Sequence, residues 1–304
     1  IGLVGSEMCI RDSSHVVAEP CPGVKYDPGR VRCRRTFCAL YMKRALREQE
    51  IASMGTSLTS LVQWLDETLQ PTKFRDYCPN GLQVEGKPEV SRLATAVTAN
   101  QSVLDRAIDW GADALLVHHG YFWKGEAEPV VGMKRRRLAA LLGNDVSLLA
   151  YHLPLDAHPE LGNNARLGQL LGIDSPEPLQ PGDPASVGNI GDLHISAEAL
   201  CQRLEALTGR SPLLIGSAEQ QFRRVAWCTG AAQSYIDAAV TVGADAFISG
   251  EISEPTVHTA REEGIAYIAA GHHATERYGV QAVGEALARQ FSLQHQFFDE
   301  DNPV

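Results

Sequence analysis

The sequence has little of what marks membrane, fibrous or disordered proteins. Aromatic residues make up 7%, charged residues 21% and hydrophobic residues 44% of the 304 residues, which is the composition of a globular chain. No run approaches the ~18 consecutive apolar residues that a membrane-spanning helix needs. At about 150 residues per domain, the length predicts roughly two domains.

Positive charge is scarce as well. The chain has 27 Lys and Arg against 37 Asp and Glu, for a formal net charge of −10. Binding to DNA or to anionic membranes depends on a positive surface. We therefore expect no direct DNA binding and no membrane partner. No P-loop or other nucleotide fingerprint is present, so the motifs give no independent support for a nucleotide.

The cysteines do not form a framework. There are seven, an odd number, and no Cys-x-x-Cys occurs. In a chain of this length the pattern argues against a disulfide scaffold and favours reduced thiols. No apolar core of a signal peptide is visible near the beginning. Both observations predict a cytoplasmic protein.

Residues 1–53 differ from the rest of the chain. They hold nine Lys and Arg and six Asp and Glu, and they show no sustained helical or strand periodicity before Phe37. A mitochondrial presequence is one interpretation, although its acidic residues argue against it. Residues 6–13 resemble the translation of a transposon-end adapter used in sequencing libraries. We predict that 1–53 is a non-native or disordered extension and that the native protein begins at Met54.

An internal repeat organises the remaining sequence. Residues 93–114 and 225–246 align without a gap and share 10 identities in 22 positions. Each copy has the pattern of a strand, a helix and a second strand, and a glycine ends each helix, at Gly111 and Gly243. The helices are predicted at Gln101–Trp110 and Gln233–Val242. The second strand of the later copy is predicted at Ala246–Ser249, followed by a crossover helix at Glu254–Glu263. Internal repeats of this kind indicate duplicated supersecondary units.

The repeat predicts an α/β fold. Its two βαβ halves are expected to be related by a pseudo-twofold axis, with mainly parallel sheets flanked by helices. The segment between them is rich in Pro and Gly and has no counterpart in the repeat. We predict a first half of a metal-binding core at 54–171, a small inserted α+β subdomain at 172–222 and a second half at 223–304.

Histidines and carboxylates gather where predicted strands end. Each half ends a strand in a His followed four residues later by a carboxylate, and a His-His pair follows another strand. Ligands bind at the carboxyl ends of parallel strands, and imidazole with carboxylate suits Zn, Fe, Mn, Ni or Co. So many ligands predict two metals bridged by a carboxylate. A lone His there is more often structural, but the duplicated motif favours metal. The histidines and carboxylates at these strand ends are His118, His119, His152, Asp156, His272, His273 and Glu276.

These motifs carry a family resemblance. The segments 77–86, 117–125, 152–164 and 271–277 resemble the dinuclear metal centre hexameric family, also called type 2 GTP cyclohydrolase I or NGG1-interacting-factor-three-like. The resemblance spans about residues 54–304 and is greatest to the short bacterial members. It implies a homo-hexamer, toroidal in shape, with two divalent metals per subunit, and the sequence does not choose among Fe, Zn and Mn.

The resemblance also implies a ligand set. One metal is expected on His119 and Asp156, the other on His118 and His272, and Glu276 is expected to bridge both. His152 and His273 are then expected to be catalytic groups that move protons or face the substrate.

Other residues have open roles. Lys124 and Tyr121 are candidates for substrate binding, but a solvated loop cation explains Lys124 equally well. Glu251 stands in the repeat where His119 stands in the first half, and it is a candidate base or supporting carboxylate. His158 is a candidate proton shuttle, although a structural role in the following turn is favoured.

Two classes of function remain open. The first is a metal-dependent hydrolase that acts through activated water on a small-molecule substrate, possibly a nucleotide or related heterocycle, as the family name of a GTP cyclohydrolase implies; a phosphoesterase is its nearest competitor. The second is a metal-binding regulatory or interaction protein without turnover. The sequence does not decide between them.

Overall fold

The computed structural model describes residues 55–304. The predicted extension 1–53 and the predicted start at Met54 lie outside the described residues. The first half of the described chain contains, in order, β1 (Thr56–Ser57), α1 (Leu58–Leu69), a 3₁₀ turn (Pro71–Lys73), β2 (Gly81–Val84), β3 (Glu89–Val90), β4 (Arg92–Thr98), α2 (Gln101–Trp110), β5 (Ala114–His119), α3 (Gly132–Gly143), β6 (Ser147–Ala150), α4 (Leu153–Ala157) and α5 (Asn163–Leu171).

The second part continues with the elements of the insert and of the second half. They are β7 (Asp174–Pro178), β8 (Asn189–Ser196), α6 (Ala197–Thr208), β9 (Leu213–Ile215), β10 (Gln221–Cys228), a 3₁₀ turn (Gln233–Tyr235), α7 (Ile236–Thr241), β11 (Ala246–Ser249), α8 (Glu254–Glu263), β12 (Ala266–Ala269), α9 (His272–Thr275), α10 (Arg277–Phe291) and β13 (Gln294–Phe297). None of the helices within 55–304 combines the length and hydrophobicity that crossing a bilayer requires.

Two sheets carry these elements. The first has the strand order β13-β4-β5-β6-β2, and only β2 runs antiparallel to its neighbour. The second has the order β7-β8-β10-β11-β12-β9, with β10, β11 and β12 parallel and the other pairings antiparallel. The predicted α/β class with two βαβ halves is confirmed. The strands of residues 172–222 extend the second sheet, and the predicted domain boundaries stay predictions.

The repeat is visible in hydrogen bonds as well as in topology. Asp113 accepts from the backbone N–H groups of Ser91 and Arg92, both at 3.0 Å. Asp245, 132 residues later, accepts from those of Arg223 and Arg224 at 2.7 and 3.0 Å. Each carboxylate directly precedes the second strand of its βαβ unit and holds the backbone of the first strand. The contact is at the beginning of β4 in the first half and within β10, beside an irregularity in its pairing, in the second.

Buried strands and capped helices explain the local structure. β4 and β5 are apolar and buried along nearly their whole length, as expected for parallel strands covered on both faces. The Oδ1 atom of Asn100 accepts from Val103 N at 2.8 Å and begins α2. Gly111 ends it with φ of 82°, in the left-handed region that favours glycine.

The two halves exchange helices. α5 follows the first sheet in sequence, but its Leu167 and Leu171 pack in the core of the second sheet beside Trp227. α10 follows the second sheet, but its Val283 and Leu287 pack in the core of the first. β13 then joins the first sheet beside β4. The chain therefore ties both halves together at the end of the sheets where the candidate ligands lie.

Candidate metal centre

The candidate ligands come from loops and short helices that follow three parallel strands. His118 and His119 end β5, His152 follows β6, and Asp156 lies in α4. His272 begins α9 after β12, and Glu276 directly follows that helix. Carboxyl ends of parallel strands meet at one edge of a sheet. The fold brings together six of the seven predicted groups, from both halves, and His273 is the exception.

These residues form two groups that share one carboxylate. His118, Asp156 and Glu276 are all buried, and the ligand atoms of the three lie within 4.8 Å of one another. His118 Nε2 is 3.6 Å from Asp156 Oδ1 and 3.4 Å from Glu276 Oε1. The second group is His119, His272 and Glu276. Here Glu276 Oε2 is 3.3 Å from His119 Nε2 and 3.2 Å from His272 Nε2.

This grouping differs from the one that the family resemblance implies. The resemblance places His119 with Asp156 and His118 with His272, whereas the structure groups His118 with Asp156 and His119 with His272. His118 is fully buried beside Asp156, while 16% of the His119 side chain is exposed. The two are successive residues at the end of β5, and their Nε2 atoms face different oxygens of Glu276. Both versions make Glu276 the shared carboxylate.

The site has unpaired polar atoms that a cation would satisfy. His118 Nε2 and Glu276 Oε2 are buried and have no hydrogen-bond partner. A buried polar atom without a partner costs roughly 1–3 kcal/mol, and such atoms are rare in native proteins. Three imidazoles and two carboxylates are also the donor set that Zn, Fe and Mn accept. The residues therefore fit divalent metal ions.

The far side of each imidazole is also occupied. His118 Nδ1 lies 3.1 Å from the carbonyl oxygen of Tyr151, and His119 Nδ1 lies 3.2 Å from Thr98 Oγ1. His272 Nδ1 lies 2.7 Å from Glu251 Oε1. Partners at Nδ1 fix ring orientation and leave Nε2 for a metal. Glu251 thus supports His272, the role of supporting carboxylate that the repeat suggested.

Asp156 is held by both halves of the chain. Its Oδ1 accepts from Asn163 Nδ2 at 2.9 Å and from Thr229 Oγ1 at 3.3 Å. Asn163 Oδ1 in turn accepts from Gly279 N in α10 at 2.8 Å. The exchanged helices α5 and α10 therefore position the carboxylate.

The three histidines differ in pKa because their surroundings differ. Burial lowers the pKa of His118, but the carboxylates of Asp156 and Glu276 outweigh it and raise the pKa to about 9. Burial lowers the pKa of His272 as well, and Glu276 with Glu251 raises it to about 9. Burial dominates at His119 and lowers its pKa to about 3. Burial raises the pKa of Glu276, but His118 and His119 outweigh it and hold this pKa well below its usual range.

Glycine makes room for the shared carboxylate. Gly230 has φ of 73°, and a Cβ there would overlap Glu276 Oε1 and lie 3.3 Å from His272 Nε2. At Gly250 a Cβ would lie 2.6 Å from the Cα of His272. Both glycines follow strands of the second half, so the turn backbones themselves form a wall of the site.

A residue that the sequence reasoning missed supports His152. Asp76 Oδ1 lies 2.6 Å from His152 Nδ1, and a ring nitrogen of His152 lies within 4.8 Å of those of His118 and His119. Asp76 is outside the repeat and 76 positions from His152, so no spacing rule connects them. Its place at the head of the loop before Asn80-Gly81 was the only available signal.

The other predicted residues lie differently. His273 belongs to neither ligand group, and its Nε2 lies 2.9 Å from Asp299 Oδ1. Tyr121 is buried, and its hydroxyl donates to the carbonyl oxygen of Ala99 at 2.8 Å. Lys124 is exposed. The structure thus places His152 beside the two ligand groups and leaves His273 outside them. The Tyr121 hydroxyl is bound to a backbone carbonyl.

Curated relatives cover almost the whole described chain. A protein of Pseudomonas aeruginosa named GTP cyclohydrolase 1 type 2 homolog is 54% identical over 253 residues, 83% of this chain and 100% of that protein. The Escherichia coli K12 protein of the same name is 51% identical over 249 residues, 81% of this chain and 99% of that one.

Solved structures share the fold. A protein of unknown function named ybgI matches with a TM-score of 0.77 and 49% identity, over 82% of this chain and 100% of that one. TTHA1606 from Thermus thermophilus matches with a TM-score of 0.75 and 35% identity, over the same shares of the two chains. The family model Duf34/NIF3 (NGG1p interacting factor 3) matches residues 56–303. The chain belongs to the Duf34/NIF3 family.

Proposed function

We propose that the chain binds two divalent metal ions, Fe, Zn or Mn, and hydrolyses a nucleotide or a related heterocycle. The ligands are His118, His119, Asp156, His272 and Glu276. The observation that carries the proposal is the sharing of Glu276, whose unpaired Oε2 faces one group while Oε1 faces the other. The relatives carry the name GTP cyclohydrolase 1 type 2 homolog, which supports a nucleotide substrate.

The ligand set leaves the site suited to catalysis. When bound, a metal pair lowers the pKa of water and neutralises negative charge that develops on the substrate. Five ligands with one shared are fewer than two closed four-coordinate sites require, so positions remain for water and substrate.

Residues beside the metal groups favour a planar substrate. The ring of Trp123 lies 5.0 Å from that of His152 and 5.9 Å from that of His119. The Tyr77 ring lies 6.4 Å from His152, and 63% of Tyr77 is exposed. Aromatic faces bind flat rings through stacking and apolar contact. This arrangement supports a heterocycle over a simple phosphoester, and it leaves His152 to move protons at the site.

Activity against a defined panel tests the proposal. The metal-loaded protein is incubated with GTP, other nucleoside triphosphates and phosphoesters, and ring opening and phosphate release are followed separately. We expect ring hydrolysis that Asp156→Asn lowers by at least ~100-fold, because a metal ligand is lost. Glu262→Gln removes the same charge at an exposed position and serves as the control.

Other outcomes of this panel identify the alternatives. Phosphate release without ring opening would identify a phosphoesterase. Full metal loading without turnover of any compound would contradict the hydrolase and favour the regulatory protein.

We also propose that the chain works as a cytoplasmic homo-hexamer, as the family resemblance implies. Sedimentation analysis of the purified protein tests the assembly. A hexamer is expected, and a monomer at micromolar concentration would contradict it.

A further inference from the structure

Asp76 is committed to a single arrangement. Its Oδ1 faces His152 Nδ1 at 2.6 Å and accepts from Tyr77 N at 2.6 Å. Its Oδ2 accepts from Asn80 Nδ2 and from Leu153 N, both at 2.9 Å. Only 3% of the Asp76 side chain is exposed. The carboxylate is therefore fixed from four directions, and one of them is the His152 ring.

His152 is fixed along its backbone too. Asn80 Oδ1 accepts from His152 N at 2.7 Å, and the next backbone N–H, that of Leu153, donates to Asp76. The loop before β2 thus holds both the backbone and the ring of His152. Such a double attachment restricts ring rotation more than a single side-chain contact would.

The second half of the chain contains the same device. His152 follows β6 and His272 follows β12, the third parallel strand of each half. A carboxylate stands four residues after each histidine. The Nδ1 atom of His152 faces Asp76 at 2.6 Å, and that of His272 faces Glu251 at 2.7 Å. The two supporting carboxylates come from non-equivalent places in the chain. Different carboxylates thus hold the two corresponding imidazoles, which indicates that the orientation of the ring matters at both positions.

A metal site on this loop is the rival explanation. Asp76, Cys78 and His152 have ligand atoms within 4.8 Å of one another. However, each Asp76 oxygen already has two hydrogen-bond partners, and neither is an unpaired buried atom. The Cys78 thiol is buried, and burial, followed by the charge of Asp76, raises its pKa to about 12. Both Asp76 oxygens therefore have their hydrogen-bond partners, whereas the neighbouring site has the unpaired atoms His118 Nε2 and Glu276 Oε2.

We propose that Asp76 is a positioning residue that fixes His152 as the tautomer with its proton on Nδ1. An ionised carboxylate only accepts hydrogen bonds, so the Nδ1 atom that faces it must donate. In a singly protonated ring, Nε2 is then the nitrogen without a proton, and it can accept one. The ring lies beside those of His118 and His119. The use of that Nε2 in turnover rests on the proposed function, whereas the tautomer does not.

Nitrogen NMR of the histidine rings tests the tautomer directly. The zinc-loaded protein is labelled with ¹⁵N histidine, and the His152 signals are assigned by their loss in His152→Ala. We expect a protonated Nδ1 and an unprotonated Nε2 in the wild type, and a shift toward the other tautomer in Asp76→Asn. A wild-type ring protonated on Nε2 would overturn the proposal. This result needs no turnover, and a variant serves only to assign the signals.

Metal content separates positioning from ligation. We expect Asp76→Asn and Cys78→Ser to keep the zinc content of the wild type. Loss of a metal equivalent in either variant would show that the group binds metal and would overturn the proposal. Asp113→Asn is the matched control, because it removes another carboxylate that holds backbone N–H groups and should leave the His152 tautomer unchanged.

A double-mutant cycle tests whether Asp76 acts through His152. On the substrate of the proposed function, Asp76→Asn should lower kcat by about 10–100-fold with little change in KM. In a His152→Ala background the same substitution should cost less than about 2-fold, because the residue on which it acts is gone. Additive effects would contradict the positioning role. Absence of turnover in the wild type would refute the proposed function and leave the tautomer result standing.

Discussion

The position of Glu276 in the candidate centre requires a neighbouring residue without a side chain. The Glu276 carboxylate lies against Gly230, whose φ of 73° and missing Cβ leave space for Oε1. A methyl group there would occupy the position of that oxygen. The geometry therefore links metal binding to one glycine that coordinates nothing.

Gly230→Ala should abolish binding of at least one metal ion while the fold is kept. Gly243→Ala is the matched control, because Gly243 also has φ of 73° but has open space where a Cβ would be. Both variants bear the cost of alanine in the left-handed region, about 1–2 kcal/mol. Metal analysis and thermal unfolding separate the effects. Equal metal content in the two variants would contradict the predicted overlap.

Metal binding should release protons near neutral pH. His118 and His272 have a pKa of about 9 in the metal-free protein, so both are mostly protonated at pH 7 and a metal must displace roughly two protons. Because these pKa values are raised, affinity should increase as pH rises toward 9 and then level off. Calorimetry in buffers of different ionisation enthalpy measures the release. No proton release at pH 7 would contradict these charge states.

Most of the helices and strands could be predicted from the repeat and from the residues that end the helices. The predicted bounds Gln101–Trp110, Ala246–Ser249 and Glu254–Glu263 are those observed. The predicted helix Gln233–Val242 is instead a 3₁₀ turn followed by α7. Asn100 caps the first helix, whereas Ala232 has no side chain to cap the second. Identities in the repeat did not extend to the cap.

The duplicated carboxylates give a prediction for these elements. Asp113→Ala and Asp245→Ala should each lower the free energy of unfolding by about 1–3 kcal/mol, because each leaves two backbone N–H groups without their partner. The two sets of backbone hydrogen bonds are equivalent, and Asp113 has in addition only a partly exposed ion pair with Lys87, a kind of pair worth about 1 kcal/mol or less. The two losses should therefore agree within about 1 kcal/mol. Urea unfolding measures both. A loss at only one position would show that the repeat does not preserve this support.

The repeat placed seven candidate residues at strand ends, and the family resemblance selected five of them as ligands. The structure brings these five together, and their binding of metal stays a prediction. The five are His118, His119, Asp156, His272 and Glu276. Which histidine lies beside which carboxylate depends on side-chain direction and burial at the end of β5, and the sequence does not encode these in any spacing. Asp76 was missed because its contact with His152 is made by loop packing outside the repeat.

The described region, 55–304, is held together by the exchange of α5 and α10 between the halves. The sequence pattern does not show on which sheet each helix packs, because that choice depends on contacts between distant parts of the chain. Leu167 is buried on the second sheet and Leu287 on the first. Each half therefore needs a helix from the other to close its core.

Unfolding of the described region should consequently be a single transition. Leu167→Ala and Leu287→Ala should each lower the free energy of unfolding by about 2–5 kcal/mol and shift the same transition. Single-tryptophan variants that keep Trp110, beside the first core, or Trp227, in the second, report on the two halves. Two separated midpoints would contradict the exchange as the link between the halves.

Metal content per chain decides whether Glu276 joins two metal positions. The wild-type protein and Glu276→Gln are loaded with zinc, freed of excess and analysed for zinc and protein. We expect two ions per chain in the wild type and at most one in Glu276→Gln, because both groups lose their common carboxylate. Two ions retained by Glu276→Gln, or fewer than two in the fully loaded wild type, would refute the shared carboxylate.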